Sequence, residues 1–399
     1  MKTNKINGPV NVVRMEGKIN NIHKVIYLFM DIHLNISEQT KCNGIGSVDI
    51  QNFFKESFEN LDQNKTYDFF MEIFPEYLSP LTNLEILNKP ESQMIYLRRL
   101  QKFFYDHIRF DPEKNKISSL FKNVRLHYID IRGLLYDVLL DPLLFAIERT
   151  KEQHEKVPSM VETSIFFVIK FMKNMETILQ KKEGQSLNIK QTKKQSVVKL
   201  EDNIFSILQD SDVRKEYMEK ILYLFNKFLN DYRHDNIKKL VNEYIDSYLI
   251  PRWQRYITDL ENFYDKIKNL KQEDYQDDKM TAELRKELSF LRQKLFSMLS
   301  RIVDLYFIRR FLDKDYIMNA MVYTGAAHSS SYIYLLHRIG FKITHCANCP
   351  IKNINKLNEA VDQIKNFPSE QSLFDLLEIF IPKKQVQCTD ISKFPKDFQ

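Results

Sequence analysis

Four stretches of the chain end in side chains that could do chemistry. The apolar run KVIYLFMDIH (24–33) ends in Asp31 and His33, and TYDFFMEIF (66–74) carries Glu72 near its end. VRLHYIDIR (124–132) ends in Asp130 and Arg132, and NAMVYTGAAH (319–328) runs into Gly325 and His328. Two imidazoles and a carboxylate suit two chemistries. A neutral imidazole can take a proton from water while Glu72 holds its tautomer, with Arg132 or the second histidine stabilising an oxyanion. Alternatively, His33, Glu72 and His328 bind a divalent metal and leave a coordination position open for water. Neither scheme needs a Ser or Cys nucleophile, and no GxSxG elbow is present. Against both stands a simpler account, in which each apolar run ends in a charge because it has reached the surface and pairs there as an ordinary ion pair.

The elements that must position these groups can be read from texture. Short runs rich in Val, Ile, Tyr and Phe, bounded by polar residues, read as buried strands. Besides the four above they include VNVVRM (10–15) and FKITHC (341–346). Helical patterns lie between them, over 48–61, 92–108, 329–340 and about 369–380, with Gly340 as a stop signal. Strand alternating with helix argues for an α/β fold with a mostly parallel sheet, in which ligands bind beyond the carboxyl ends of the strands. Residues two apart on a strand share a face, which pairs Asp31 with His33 and Asp130 with Arg132 around the three reacting groups. Gly325, at a strand-to-helix turn, is expected to allow an unusual backbone angle and the close approach of a ligand. Ser329, Ser330 and Ser331 are expected to cap the helix that follows. His328 would then sit near a helix N-terminus, which favours neutral imidazole.

Between these two regions the texture changes. The segments 134–150, 158–181, 198–231, 235–270 and 281–313 carry apolar residues at helical spacing, such as Ile221, Leu222, Phe225 and Phe228, or Leu288, Leu291, Leu295 and Leu299. Polar stretches at 181–196 and 272–279 read as exposed loops. The simplest organisation is one α/β domain from residues 1–132 and 314–399, with a helical bundle, 133–313, inserted into it. Apolar stripes on the long helices could pack within one chain or between two copies, as a homo-oligomer.

The segment YLFMDIH, the carboxylate strand FFMEIF and the late G-x-x-H turn followed by SYIYLLHRIGFKIT resemble the Tiki/TraB (GumN-like) group, related to the erythromycin-esterase and ChaN-like proteins. The resemblance covers roughly 22–76, 120–135 and 316–346. It implies that His33, Glu72, Gly325 and His328 fall on the positions of that group's two histidines, glutamate and second glycine, and that Arg132 corresponds to an Arg or Asp in the middle of such folds. The group includes metal-dependent peptidases, metal-independent ester hydrolases and haem-binding proteins, so the resemblance alone does not choose a reaction. Met30 stands where the first G-x-x-H motif would have Gly, which leaves room for a member without activity. The chain also has the general look of proteins from large DNA viruses.

Composition sets the outer bounds. The chain has 399 residues, 43% hydrophobic and 28% charged, enough for a sizeable core. With 8 Gly and 12 Pro it lacks the turns of a sandwich or propeller. The net charge of +6 is mild for this length and does not by itself indicate nucleic acid. Arg98, Arg99 and Lys102 among Tyr96, Phe103 and Phe104 read as the basic face of an amphipathic helix. No apolar run is long enough to span a membrane, and no apolar leader opens the chain. Four cysteines make no disulfide scaffold here, so a reducing, cytoplasmic setting is expected. Cys346-Ala-Asn-Cys349 is a lone close pair, where a structural zinc wants two. A redox role would want the motif to open a helix, and Pro350 beyond it gives that little support.

The leading expectation is thus a hydrolase acting on an ester or amide bond of a small molecule or peptide. The alternatives are an inactive scaffold that binds a partner through the long helices, and a haem or small-ligand binder using the same histidines.

Overall fold

The computed structural model describes residues 5–38, 42, 46–73, 90, 93–111, 116–150, 157–180, 219, 221, 223–225, 227–365, 369–384, 386–396 and 398. The loop expected at 181–196, the first two thirds of the helix expected at 198–231, Leu222 and the end of the run 66–74 lie outside them. The chain divides into two compact units, 1–130 with 310–399, and 131–309.

The first unit is α/β. It begins with β1 (Lys5–Asn7), β2 (Asn11–Ile19) and β3 (Ile22–Asp31). Asn20 and Asn21 join β2 to β3 at φ 50° and 66°. Two successive positive φ angles make the hairpin turn whose twist matches its strands, and Asn tolerates them better than most residues. Next come β4 (Ser47–Asp49), α1 (Ile50–Glu59), β5 (Tyr67–Met71) and α2 (Tyr96–His107). A small antiparallel pair, β6 (Ile108–Asp111) and β7 (Lys116–Ser119), precedes β8 (Val124–Tyr128).

The helical unit follows. A π-helical turn at Tyr136–Leu140 leads into α3 (Asp141–Arg149), and α4 (Val157–Gln180), α5 (Asp235–Tyr244) and α6 (Ile250–Ile267) come after it. The stretch expected as a loop at 272–279 is a short 3-10 turn, Gln272–Gln276, and α7 (Asp278–Asp313) begins directly behind it. Apolar side chains of these helices form one core, in which Leu288, Leu295 and Leu299 are fully buried. Trp253, also fully buried, donates its indole N–H to the Met172 carbonyl at 2.8 Å, so its one polar atom is satisfied.

The chain then returns to the first unit with β9 (Asn319–Gly325), α8 (Ala326–Arg338), β10 (Lys342–Cys346), α9 (Ile354–Asp362), α10 (Glu370–Phe380) and β11 (Cys388–Asp390). Gly340, at φ 97°, ends α8 as expected of a left-handed C-terminal glycine.

The main sheet runs β10-β2-β3-β9-β5-β8. Three adjoining pairs, β3 with β9, β9 with β5 and β5 with β8, are parallel, while β10 and β2 add an antiparallel side. β3 and β9 are apolar on both faces because both faces are covered, which is why they read as unbroken hydrophobic runs. Register puts Asp31 opposite Gly325 across β3 and β9, and Met71 opposite Tyr323 across β5 and β9. The carboxyl ends of three neighbouring strands therefore finish side by side, and that edge is where the candidate groups stand.

Candidate active site

Asp31 is the last residue of β3, and His33 follows at φ 54°. A left-handed angle costs a non-glycine residue about 1–2 kcal/mol. Here the imidazole is held at both nitrogens: Nδ1 lies 3.1 Å from Asp31 Oδ2 and Nε2 lies 3.3 Å from Glu72 Oε2. Glu72 stands one residue past β5 and is 8% exposed. Its Oε2 also accepts the Gly325 backbone N–H at 2.7 Å, and its Oε1 lies 3.2 Å from His328 Nε2. His328 is in the first turn of α8 and buried. Asp31 is buried as well, and its Oδ1 accepts N–H groups from Ile32 and from the Gln387 side chain. A continuous line of polar contacts thus runs Gln387–Asp31–His33–Glu72–His328.

The charges follow from these contacts. Burial pulls His33 toward its neutral form, but the hydrogen bonds to Asp31 and Glu72 and the charges of both carboxylates overcome it, raising its pKa from 6.5 to about 10. His33 is therefore an imidazolium at neutral pH, not the neutral base expected from the sequence. Burial would push the Glu72 carboxyl up, yet His328, through its charge when protonated and its hydrogen bond, together with His33, holds it well below the ordinary carboxylate range.

Gly325 departs from expectation in its reason. Its φ of −55° is one that other residues adopt, so no unusual angle is needed. Space is what the position demands: a β-carbon would come 2.8 Å from His33 Nε2 and 3.3 Å from Glu72 Oε2. Met30, where the resemblance puts a glycine, is fully buried within β3 and pairs with Thr324.

The serines do not cap α8. The helix starts at Ala326, so Ser329, Ser330 and Ser331 lie inside it and are buried. Thr324 Oγ1 and Ser329 Oγ are 2.8 Å apart, and Ser331 donates to the Ala327 carbonyl.

Asp130 and Arg132 do not share a strand face, because β8 stops at Tyr128. The Asp130 N–H donates to the Ile73 carbonyl, which places its backbone beside the chain just after Glu72. Arg132 has right-handed helical angles and belongs to the helical unit, where it donates to Ser300 Oγ at 3.2 Å and lies over the Phe296 ring. Of the basic cluster on α2, Arg99 turns inward and pairs with Asp49.

The fit of a metal can be judged from the donors. The two imidazoles and the carboxylate are hydrogen-bonded directly to one another. Among the described residues no group of three or more His, Cys, Asp or Glu side chains is arranged to hold a metal ion. As they stand, these donors are committed to one another and do not form a metal-binding set.

Gln387 is the contributor that sequence reading missed. It lies 356 residues from Asp31, next to β11, in a segment with no strand-end pattern or motif to single it out. The cysteines also differ from expectation: Cys42 is bonded to Cys388 and Cys346 to Cys349. The first pairing was hidden because 346 residues separate its members. Among the described residues no helix is long and apolar enough to cross a membrane.

Comparison with known proteins places the chain without assigning an activity. The model of a family of unknown function, DUF5847, matches residues 4–281 and 269–399. Three proteins of Acanthamoeba polyphaga mimivirus, each described as uncharacterized, are 30%, 31% and 33% identical to it, each match covering 99% of this chain. The matches cover 97%, 98% and 97% of those relatives' own lengths, and their viral origin agrees with the look of the chain. No solved structure matches. With both units covered by the family model and relatives aligned nearly end to end, the chain belongs to the DUF5847 family.

Proposed function

We propose that the Asp31–His33–Glu72–His328 line is the active site of a hydrolase that adds water to an ester or amide carbonyl of a small molecule or peptide. The observation that carries the proposal is Glu72. One buried carboxylate contacts two imidazoles at the carboxyl edge of three adjacent parallel strands, where such folds bind ligands. The order of these groups along the chain is also the one that the Tiki/TraB resemblance implies.

The charges divide the roles. His33, doubly bound and protonated, supplies the fixed positive charge that stabilises the oxyanion; its side chain is 34% exposed, so a substrate can reach it. The base is His328, with Glu72 Oε1 keeping its proton on Nε2 and stabilising the imidazolium that forms, as a carboxylate does for a histidine in a catalytic triad. Water adds to the carbonyl carbon, its proton passes to His328, and the tetrahedral oxyanion collapses as His328 gives that proton to the leaving group, so both histidines end as they began. Asp31 and Gln387 orient His33 and do not touch the substrate.

The test is turnover of p-nitrophenyl acetate and of a peptide anilide by the full chain and by His33→Asn, Glu72→Gln and His328→Asn, each checked by circular dichroism. Each variant should lose at least ~100-fold in kcat/KM while staying folded, the range of general acid–base contributions. Turnover that survives His328→Asn, or a wild type inert toward a broad ester and amide panel, would overturn the reading.

A further inference from the structure

A second chemical centre lies at the end of β10, and it stands apart from the hydrolytic reading. We propose that Cys346 and Cys349 are a redox-active pair that exchanges its disulfide with a dithiol of another protein.

The two cysteines are bonded, with Cα atoms 5.8 Å apart. Their exposure is unequal. Cys346 is half-buried at the end of β10, which is an edge strand of the main sheet, while Cys349 is 1% exposed. An incoming thiolate can reach the first sulfur and has little access to the second. That asymmetry is the arrangement a dithiol exchange site needs: one sulfur to be attacked and one to leave.

What would stabilise the leaving sulfur is Asn11. This residue is fully buried, and its Nδ2 lies 3.3 Å from Cys346 Sγ and 3.4 Å from Cys349 Sγ. Its orientation is fixed rather than assumed. Oδ1 accepts the backbone N–H groups of Val12 and Asn348, both at 2.8 Å, so the amide nitrogen must face the sulfurs. One Nδ2 hydrogen goes to the Phe380 carbonyl at 2.6 Å, which leaves the other for the sulfurs. A buried N–H aimed at a sulfur favours the thiolate over the thiol, and a stabilised reduced form makes a pair a better oxidant. The motif opens no helix, so a side-chain amide takes the place of the helix N-terminus usual in such sites. The loop that the bond closes is only a few residues long, so the bond itself adds little chain-entropy protection against reduction.

A partner thiolate attacks Cys346 Sγ, the Cys346–Cys349 bond breaks, and Cys349 leaves as a thiolate beside Asn11. The partner's second thiolate then attacks the partner sulfur of the mixed disulfide and Cys346 leaves. The partner dithiol is oxidised by two electrons to a disulfide, and the two protons it gives up are taken by Cys346 and Cys349.

The test uses the full chain, equilibrated with glutathione redox buffers, alkylated and read by peptide mass spectrometry. At the glutathione ratio that half-reduces Cys346–Cys349, the long-range bond Cys42–Cys388 should remain closed. Cys349→Ser should form a mixed disulfide with oxidised glutathione at Cys346, and Cys346→Ser should do so at Cys349 at least ~10-fold more slowly, because that sulfur is buried. Asn11→Asp, which keeps both Oδ1 acceptor bonds and replaces the donor with a charge, should shift the pair at least ~10-fold toward its disulfide. Equal trapping by the two cysteine variants, or a pair no easier to reduce than Cys42–Cys388, would make this a purely structural bond and overturn the proposal.

Discussion

Gly325 and the His33 imidazole occupy neighbouring space so closely that a β-carbon on the glycine would sit 2.8 Å from Nε2. Two residues almost three hundred positions apart are thereby matched in shape, and Glu72 accepts a hydrogen bond from each. Gly325→Ala should push the imidazole off Glu72. Overpacking of this kind costs about 1–3 kcal/mol. Denaturant unfolding reads that loss, and the His33 pKa, followed by NMR, should fall at the same time. An unchanged imidazole titration would show that the contact is not as close as described.

Glu72 lies between two imidazoles and is nearly buried, so removing its charge strands both. Glu72→Gln should destabilise the first unit by roughly 3–5 kcal/mol, the usual cost of breaking one side of a buried ion pair. The same substitution should bring the His33 pKa down from about 10, since one of the two carboxylates holding its proton is gone. A variant as stable as wild type would mean that the carboxylate carries little charge in the folded chain.

His33 makes stability depend on pH with a definite sign. Its folded pKa of about 10 lies above the ordinary 6.5, so the folded chain binds this proton more tightly. The stabilisation is complete below pH 6.5 and disappears as pH rises through about 10. Lys24 works the other way at the upper end. Burial lowers its pKa from 10.5 to about 8, so folding gains from its deprotonation between those values. The effect of His33 is therefore isolated as the difference between wild type and His33→Asn in urea unfolding. That difference should shrink steadily from pH 6.5 to pH 10, and a difference that grows instead would reverse the assigned sign.

The bond between Cys42 and Cys388 closes a loop over 346 residues and ties β11 into the sheet beside β1, where Asn7 pairs with Cys388. Cross-links over long loops typically contribute about 2–5 kcal/mol. Cys388→Ser should lose an amount in that range. It should also loosen the neighbouring Gln387, whose amide holds Asp31. Denaturation with and without reductant measures the first effect, and a shift in the His33 titration reports the second.

Much of the architecture is legible in local patterning. An unbroken apolar run such as VIYLFM declares a strand covered on both faces, and an amphipathic stretch such as IQNFFKESFENL declares a helix with one face inward. Each depends on neighbours a few residues away. The change of texture near 132 and 313 likewise lies within a few residues of the boundaries between the two units. Strand-end position was enough to single out Asp31, His33, Glu72 and His328, because a parallel sheet gathers its carboxyl ends at one edge.

Other features have no local signature. Arg132 looks like part of a strand end, but β8 stops four residues earlier and the arginine opens the helical unit. The charge on His33 depends on two carboxylates arriving at its two nitrogens, one from β3 and one from beyond β5. The need for glycine at 325 is a matter of volume filled by a side chain just past the end of another strand, and Gln387 and the Cys42–Cys388 bond join opposite ends of the chain. Periodicity and turn chemistry act over a few residues, so they write strands, helices and hairpins into the sequence directly. Protonation states, clashes and cross-links arise between atoms that only the folded chain brings within a few ångströms, and those relations were decided by the packing of strand against strand.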